Sequence, residues 1–239
     1  MILTKGSSAS PDQESLVTIS VIIPAFENPD ELVSCLRALA ASSCRPAQVL
    51  VVDDGSRFGA SEIASACREF GAHYMRQKTN GGPAEARNAG ARVASGDVLV
   101  FLDADVAVHA DTLEKIALRL GERPHLDAIF GAYDDCPAAP GTVSRFRNLL
   151  RHYFHLRSAG KAYTFWAGCG AIRRSAFEAT AGFPESYTEA SIEDVEFGRN
   201  LDRTLPASAP FRFSARRTAR RWAMYAARPF SATIPRPVS

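Results

Sequence analysis

An α/β fold with a mostly parallel sheet is what this chain of 239 residues predicts, and two observations carry the prediction. Short β-branched runs alternate with amphipathic helical patterns over the first 120 or so residues, as repeated βαβ units do. Clusters of polar residues follow the first, second and fourth of those runs, at the sheet edge where such folds bind ligands.

The first run, Val17 to Ile23, is apolar and stops at Pro24, as a buried strand would. Asn28-Pro29-Asp30-Glu31 then opens a helix, with a capping residue, a first-turn proline and acids at the positive helix end. Leu32, Cys35, Leu36 and Leu39 give it an apolar stripe. Gln48 to Val52 is the second strand; Ile63, Cys67 and Phe70 mark the second helix, and a short strand lies near His73–Arg76. Asn80-Gly81-Gly82-Pro83 is a tight turn into a helix with Ala86, Ala89 and Val93 on one side. Val98 to Leu102 is the next strand, and Asp111 with Glu114 has the spacing of a capping arrangement for a helix carrying Leu113, Ile116 and Leu120.

Beyond residue 130 the pattern loosens. Asp134 to Gly141 is a loop rich in Pro and Ala. Val143, Phe146, Leu150 and Tyr153 suit an amphipathic helix whose other positions include Arg145, Arg147, Arg151 and His152. Such a stripe more often packs than meets a membrane surface or a lipid-linked acceptor. Phe165 to Ile172 reads as extended, a short helix runs from Arg174 to Gly182, and Glu193 to Leu201 is helical again.

Composition excludes several classes. No apolar run approaches the roughly 18 residues of a membrane span, and residues 1–16 lack the apolar core of a signal peptide and read as a disordered leader. Cys35, Cys44, Cys67, Cys136 and Cys169 are odd in number and form no Cys-x-x-Cys pair, as in a reduced, cytoplasmic protein without structural zinc. The net charge of +2 is uneven: Thr204 to Ser239 holds seven Arg and no Asp, Glu or Lys, leaving 21 basic against 26 acidic residues elsewhere, a balance of −5. No Gly-x-Gly-x-x-Gly follows the first strand, which argues against a dinucleotide-dependent dehydrogenase.

Asp103 and Asp105 are the most telling pair. They end the strand-like run Asp97 to Asp105, and because successive strand side chains alternate, the two lie on the same face. They would then form an acidic pocket of the kind Mg²⁺ occupies together with substrate phosphates. A solvated turn is the alternative. Asp53-Asp54-Gly55-Ser56 is equally open by itself, since Asp, Gly and Ser are turn residues.

Taken in order, Val-Ile-Ile-Pro-Ala-Phe-Glu-Asn (21–28), Val-Val-Asp-Asp-Gly-Ser (51–56), Asn-Gly-Gly-Pro-Ala-Glu-Ala-Arg-Asn-Ala-Gly (80–90), Phe-Leu-Asp-Ala-Asp (101–105) and Glu-Asp-Val-Glu (193–196) resemble the successive motifs of family 2 glycosyltransferases. The resemblance implies a GT-A fold over residues 17–203, with a nucleotide-binding half (17–125) and an acceptor half (126–203). It implies transfer of a sugar from a UDP- or GDP-sugar to a hydroxyl acceptor, a glycan or lipid-linked saccharide, with inversion and with Mg²⁺ or Mn²⁺. Pro24, Phe26 and Glu27 would line the base, Asp54 would accept a hydrogen bond from it, and Asp53 would shape the turn or share the contact. Arg87 would reach the diphosphate, with Asp103 and Asp105 holding the metal and Asp103 also serving the nucleotide. Asp194 stands where inverting members place the general base, supported by Glu193; the competing reading is an acidic first helical turn. Trp166, Gly168 and Gly170 match the acceptor segment, although a core Trp is nearly as good a reading.

No nucleic-acid partner is expected; a peripheral contact at the inner face of a membrane is compatible with the charge. After Arg203 the resemblance stops, and Arg220-Arg221-Trp222 only echoes a later motif. An altered reading frame or truncation explains this atypical basic tail (204–239) better than a basic membrane anchor does. A degenerate nucleotide-sugar-binding module without transfer is therefore the rival to the enzyme.

Overall fold

The computed structural model describes residues 17–132, 141–157, 160–161, 164–187, 192–204, 212–213 and 223–224. Its main sheet begins with four parallel strands: β1 (Ile19–Ala25), β2 (Gln48–Asp53), β3 (His73–Arg76) and β4 (Val98–Leu102). A two-residue strand β5 (Val106–Ala107) follows, then β6 (Ala128–Phe130), β7 (Gly160–Lys161) and β8 (Cys169–Arg173). The six-stranded order is β3-β2-β1-β4-β8-β6, with β8 antiparallel to both neighbours. Two short pairs stand outside it: β9 (Arg212–Phe213) on β7, and β10 (Ala223–Met224) on β5.

Alternation along the strands sorts the core into two layers. Ile19, Val21 and Ile23 of β1 and Val98, Val100 and Leu102 of β4 face one layer. There they meet α1 (Pro29–Ala40), α2 (Ala60–Phe70) and α4 (Thr112–Gly121). The expected stripe Leu32, Cys35, Leu36 and Leu39 is buried as read. Ile22, Leu99 and Phe101 face the other way, toward α3 (Pro83–Val93), α6 (Arg174–Ala179) and α7 (Glu193–Thr204). That second layer is largely aromatic: Phe183 stacks on Phe197 at 4.2 Å between ring centroids and meets Phe101 edge-on at 5.0 Å. The remaining helix, α5 (Thr142–Arg157), lies between β6 and β7 in the chain.

Several local expectations are corrected. β1 runs through Pro24 to Ala25, because its pairing with β4 ends at Ile22 and a missing N–H breaks no bond there. Asp111 makes no side-chain cap; it pairs with Lys115 at 2.7 Å, while Glu114 accepts a bond from the Ser43 hydroxyl. On α3 the apolar side read from Ala86, Ala89 and Val93 is only partly the buried one: Ala86 is buried and Ala89 half-buried, but Val93 is exposed and the polar Arg87 and Asn88 are buried. Small residues bring α3 close to the sheet, where a Cβ on Gly90 would stand 2.5 Å from Ile22. Cys35, Cys67 and Cys169 are buried free thiols and Cys44 is half-buried. Cys136 and the loop around it, like the leader 1–16, lie outside the described residues. No helix among the described residues is long and apolar enough to cross a membrane.

Candidate functional site

The carboxyl ends of β1, β2 and β4 open into one cavity of about 1130 Å³. Pro24, Phe26, Glu27, Asp54, Arg87, Asp103 and Asp105 all line it, so most of the nucleotide-side residues expected from the sequence do converge. Glu27 is the one non-glycine residue at positive φ among those described, at 51°. It is held there by its own N–H donating to Ser56 Oγ at 2.9 Å. A backbone strained in this way needs a surrounding structure that fixes it.

The two aspartates after β2 part company. Asp53 is fully buried and turned into the loop: Oδ1 accepts from the Ser56 N–H at 2.9 Å, and Oδ2 accepts from the Tyr74 hydroxyl at 2.7 Å and pairs with Arg76 at 3.4 Å. It shapes the turn and is not among the residues lining the cavity. Asp54 reaches across to the start of α3, where the Gly81 and Gly82 N–H groups donate to its Oδ1 and Oδ2 at 2.9 and 2.8 Å. Burial raises its pKa, and those two bonds act against the rise. Each carboxylate oxygen keeps a second lone pair for a ligand N–H. Gly55 makes the connection possible: its φ is +71°, and a Cβ there would meet the Thr79–Asn80 backbone at 2.7 Å.

Asp103 and Asp105 are not on one strand face. β4 ends at Leu102 and the pair sits in a turn, closed by the Val106 N–H donating to the Asp103 carbonyl at 3.0 Å, before β5 begins. The turn brings both carboxylates to the cavity, which a straight strand was expected to do. Among the described residues no group of three or more His, Cys, Asp or Glu is arranged to hold a metal. Two carboxylates with a diphosphate are nevertheless enough for a hard cation, and Asp103 and Asp105 are oxygen donors of the right kind.

Arg87 is where the structure departs most from expectation. Its side chain is only 5% exposed and sits among three carboxylates: Asp103 at 2.7 Å, Glu193 at 3.3 Å and Asp194 at 3.8 Å, with the Phe183 ring 5.5 Å from its guanidinium carbon. Burial works against its charge, but Asp103, Asp194 and Glu193 outweigh that and raise its pKa. It thus ties the acidic turn to the start of α7. The neighbouring Asn88 ties α3 to the next segment, exchanging bonds with the Phe183 N–H and carbonyl at 2.9 Å each and donating to Glu185 at 2.8 Å.

Asp194 starts α7 beside Glu193. Its carbonyl accepts from the Phe165 N–H at 3.1 Å and its Oδ2 from the Ala167 N–H at 3.0 Å. Burial, with smaller pushes from Asp103 and Glu193, raises its pKa to about 7 in spite of Arg87. Oδ1 is buried without a hydrogen-bond partner. Gly198, one turn on, lets α7 rest on the backbone of residues 164–165, since a Cβ there would stand 2.5 Å from Thr164 Cα.

The acceptor-segment glycines serve the chain's own rings. A Cβ on Gly168 would stand 2.5 Å from Trp166, and one on Gly170 would stand 2.4 Å from Phe165. Trp166 itself is half-buried and packs against the first core layer. The Gly168 carbonyl accepts from the Asp103 N–H at 3.2 Å, so this segment buttresses the acidic turn.

Sequence reasoning missed Ser56, Arg57, Phe58, Arg76 and Lys78, which also line the cavity. Arg76 and Lys78 had a signal, because Arg76 ends β3 and Lys78 follows it at the same carboxyl edge as the other polar clusters. Gly198 and the Arg87 pairings had none, for they depend on which segments pack together: Arg87 meets Glu193 across 106 residues, and Gly198 meets Thr164 of a different segment.

A model of glycosyl transferase family 2 matches residues 20–180. The chain is 30% identical over 112 residues to an uncharacterized glycosyltransferase of Haemophilus influenzae, covering 47% of this chain and 37% of that protein. It is 28% identical over 117 residues to the glycosyltransferase GlyG of Streptococcus pneumoniae, covering 48% and 38%. The aligned stretch therefore spans under two-fifths of those relatives. Among solved structures, S. aureus TarS 1-349 in complex with UDP-GlcNAc superposes with a TM-score of 0.63 at 22% identity, over 86% of this chain and 58% of that one. The mannosyltransferase PcManGT from Pyrobaculum calidifontis, in complex with GDP-Man and Mn²⁺, gives 0.61 at 22% identity, over 87% and 57%. These are GT-A folds, and the present sheet and its helices share that fold.

Proposed function

Since the chain belongs to glycosyl transferase family 2, we propose that it moves a sugar from a UDP- or GDP-sugar to a hydroxyl acceptor, with inversion and with a divalent cation. The observation that carries the reading is the junction at Arg87. It joins Asp103, at the donor cavity, to Asp194, whose pKa is raised by desolvation to about 7, a value that suits a general base at neutral pH. Above a pH of about 7 the Asp194 carboxylate is charged and can accept a proton from the acceptor hydroxyl as the oxygen attacks the anomeric carbon. The carbon–oxygen bond to the nucleoside diphosphate breaks as the new one forms. Glu193, paired with Arg87, holds that base's helix in place.

On the donor side Asp54 and the strained Glu27 turn would fix the base, with Phe26 beside it. Arg57, Arg76 and Lys78 add positive charge around the cavity where a diphosphate would lie. Mg²⁺ or Mn²⁺ held by Asp103 and Asp105 would supply charge neutralisation at the leaving diphosphate. Titration calorimetry with UDP and with GDP, each with and without Mn²⁺, tests the reading. We expect one nucleotide to bind the full chain more tightly with metal, and Asp103→Ala to lose that gain. If neither nucleotide binds, or if binding ignores the metal, the reading is wrong.

A further inference from the structure

We propose that the exposed face of α5 is a docking surface for an anionic lipid bilayer. Val143, Phe146, Leu149, Leu150 and Tyr153 are between 41 and 67% exposed, so the stripe that usually marks packing is at the surface here. At 100° per residue these five positions span about a third of the helix circumference. They form an apolar arc from Val143 to Tyr153, with positions 142 and 157, a Thr and an Arg, on the same face at the two ends of the helix. Position 145 borders the arc on one side, and positions 147 and 151 border it on the other; all three are Arg. From Gly141 to Lys161 there are four Arg and one Lys and no Asp or Glu. An apolar arc edged by cations is the pattern of a helix lying in a lipid headgroup layer. Long cationic side chains in such a helix bury their stems and keep their heads among phosphates.

Charge chooses among the occupants. A second copy would set one cationic helix against another, and like charges across an interface are unfavourable. The chain's own segment from Thr204 to Ser239 carries seven Arg and no acid, so it is an equally poor match. A surface of anionic headgroups over hydrocarbon matches both the arc and its borders.

Vesicle flotation with the full chain tests this. We expect it to float with vesicles of phosphatidylcholine and phosphatidylglycerol, not with phosphatidylcholine alone, and to be released by high salt. The double substitution Phe146→Ser with Leu150→Ser should lower partition at least about tenfold. Arg145→Glu, a change at an exposed position, should lower it several-fold with an unchanged circular dichroism spectrum, and this keeps the test valid if the double variant folds poorly. Three outcomes would overturn the proposal. The wild type does not float with anionic vesicles; or both folded variants float as well as the wild type, which moves the contact to another segment. In the third, light scattering finds a concentration-dependent dimer that the substitutions abolish.

Discussion

The donor side and the acceptor side of the cavity hold their carboxylates in opposite ways. Asp54 is satisfied by the backbone N–H groups of Gly81 and Gly82, 27 and 28 residues along the chain. Asp53 behind it is satisfied by the Ser56 N–H, the Tyr74 hydroxyl and Arg76, all within 23 residues. Glu193 and Asp194 share one cation, Arg87, which lies 106 residues from Glu193 in sequence. The first arrangement is complete once the βαβ units form. The second exists only when α7 has closed over α3, and it places a cation between the acidic turn and the base. On the proposed function, such a site has a sturdy donor cradle and a base whose setting depends on one residue.

The largest expected effect is on turnover. Asp194→Asn should reduce transfer about 10²–10⁴-fold while leaving metal-dependent nucleotide binding in place, measured by product formation and calorimetry. The same variant has a second use. The folded pKa of Asp194 is raised from 3.8 to about 7, so the stability contributed by its protonated form is fully present below the lower value. That contribution is lost as pH rises through the upper one. Melting temperature should therefore fall more steeply over that window in the wild type than in Asp194→Asn.

Arg87→Met comes next. It leaves the buried Glu193 and the half-buried Asp194 without their cation, and we expect about 3–5 kcal/mol less stability in denaturant unfolding. Gly198→Ala should cost roughly 1–3 kcal/mol, since α7 must lift from residues 164–165. It should also weaken catalysis more than donor binding, because Asp194 rides on that helix. The smallest effect belongs to Arg76→Met. Arg76 is half-exposed and Asp53 keeps its bonds to Ser56 and Tyr74, so the loss should stay under about 1 kcal/mol. Equal losses for Arg87→Met and Arg76→Met would erase the distinction between the two sides.

Much of this was legible in the sequence. The alternation of β-branched runs with the Leu32, Cys35, Leu36 and Leu39 stripe foretold the parallel strands and their helices, because those periods are set by local geometry. Asp54, Asp103 and Asp105 were found from their place after strands. The reason given for the last two was incorrect, as a turn and not a strand face brings them to the cavity. On α3 Ala86 was read correctly, but Arg87 and Asn88 were missed as buried, because hydrophobic periodicity cannot see a polar residue that is buried by its partners. The exposed face of α5 was misread in the opposite sense, since an apolar stripe does not say whether anything covers it.

The sequence by itself determined the βαβ order, the family and the residues at the sheet's carboxyl edge, all of them consequences of short-range pattern. Only the tertiary structure decided that Asp53 turns into its loop and that Gly168 and Gly170 make room for aromatic rings. It also decided that Arg87 joins Asp103 to Asp194. The Arg87 junction reaches Glu193, 106 residues away in sequence; the others are short in sequence, but packing and the cost of burying an unpaired charge select them.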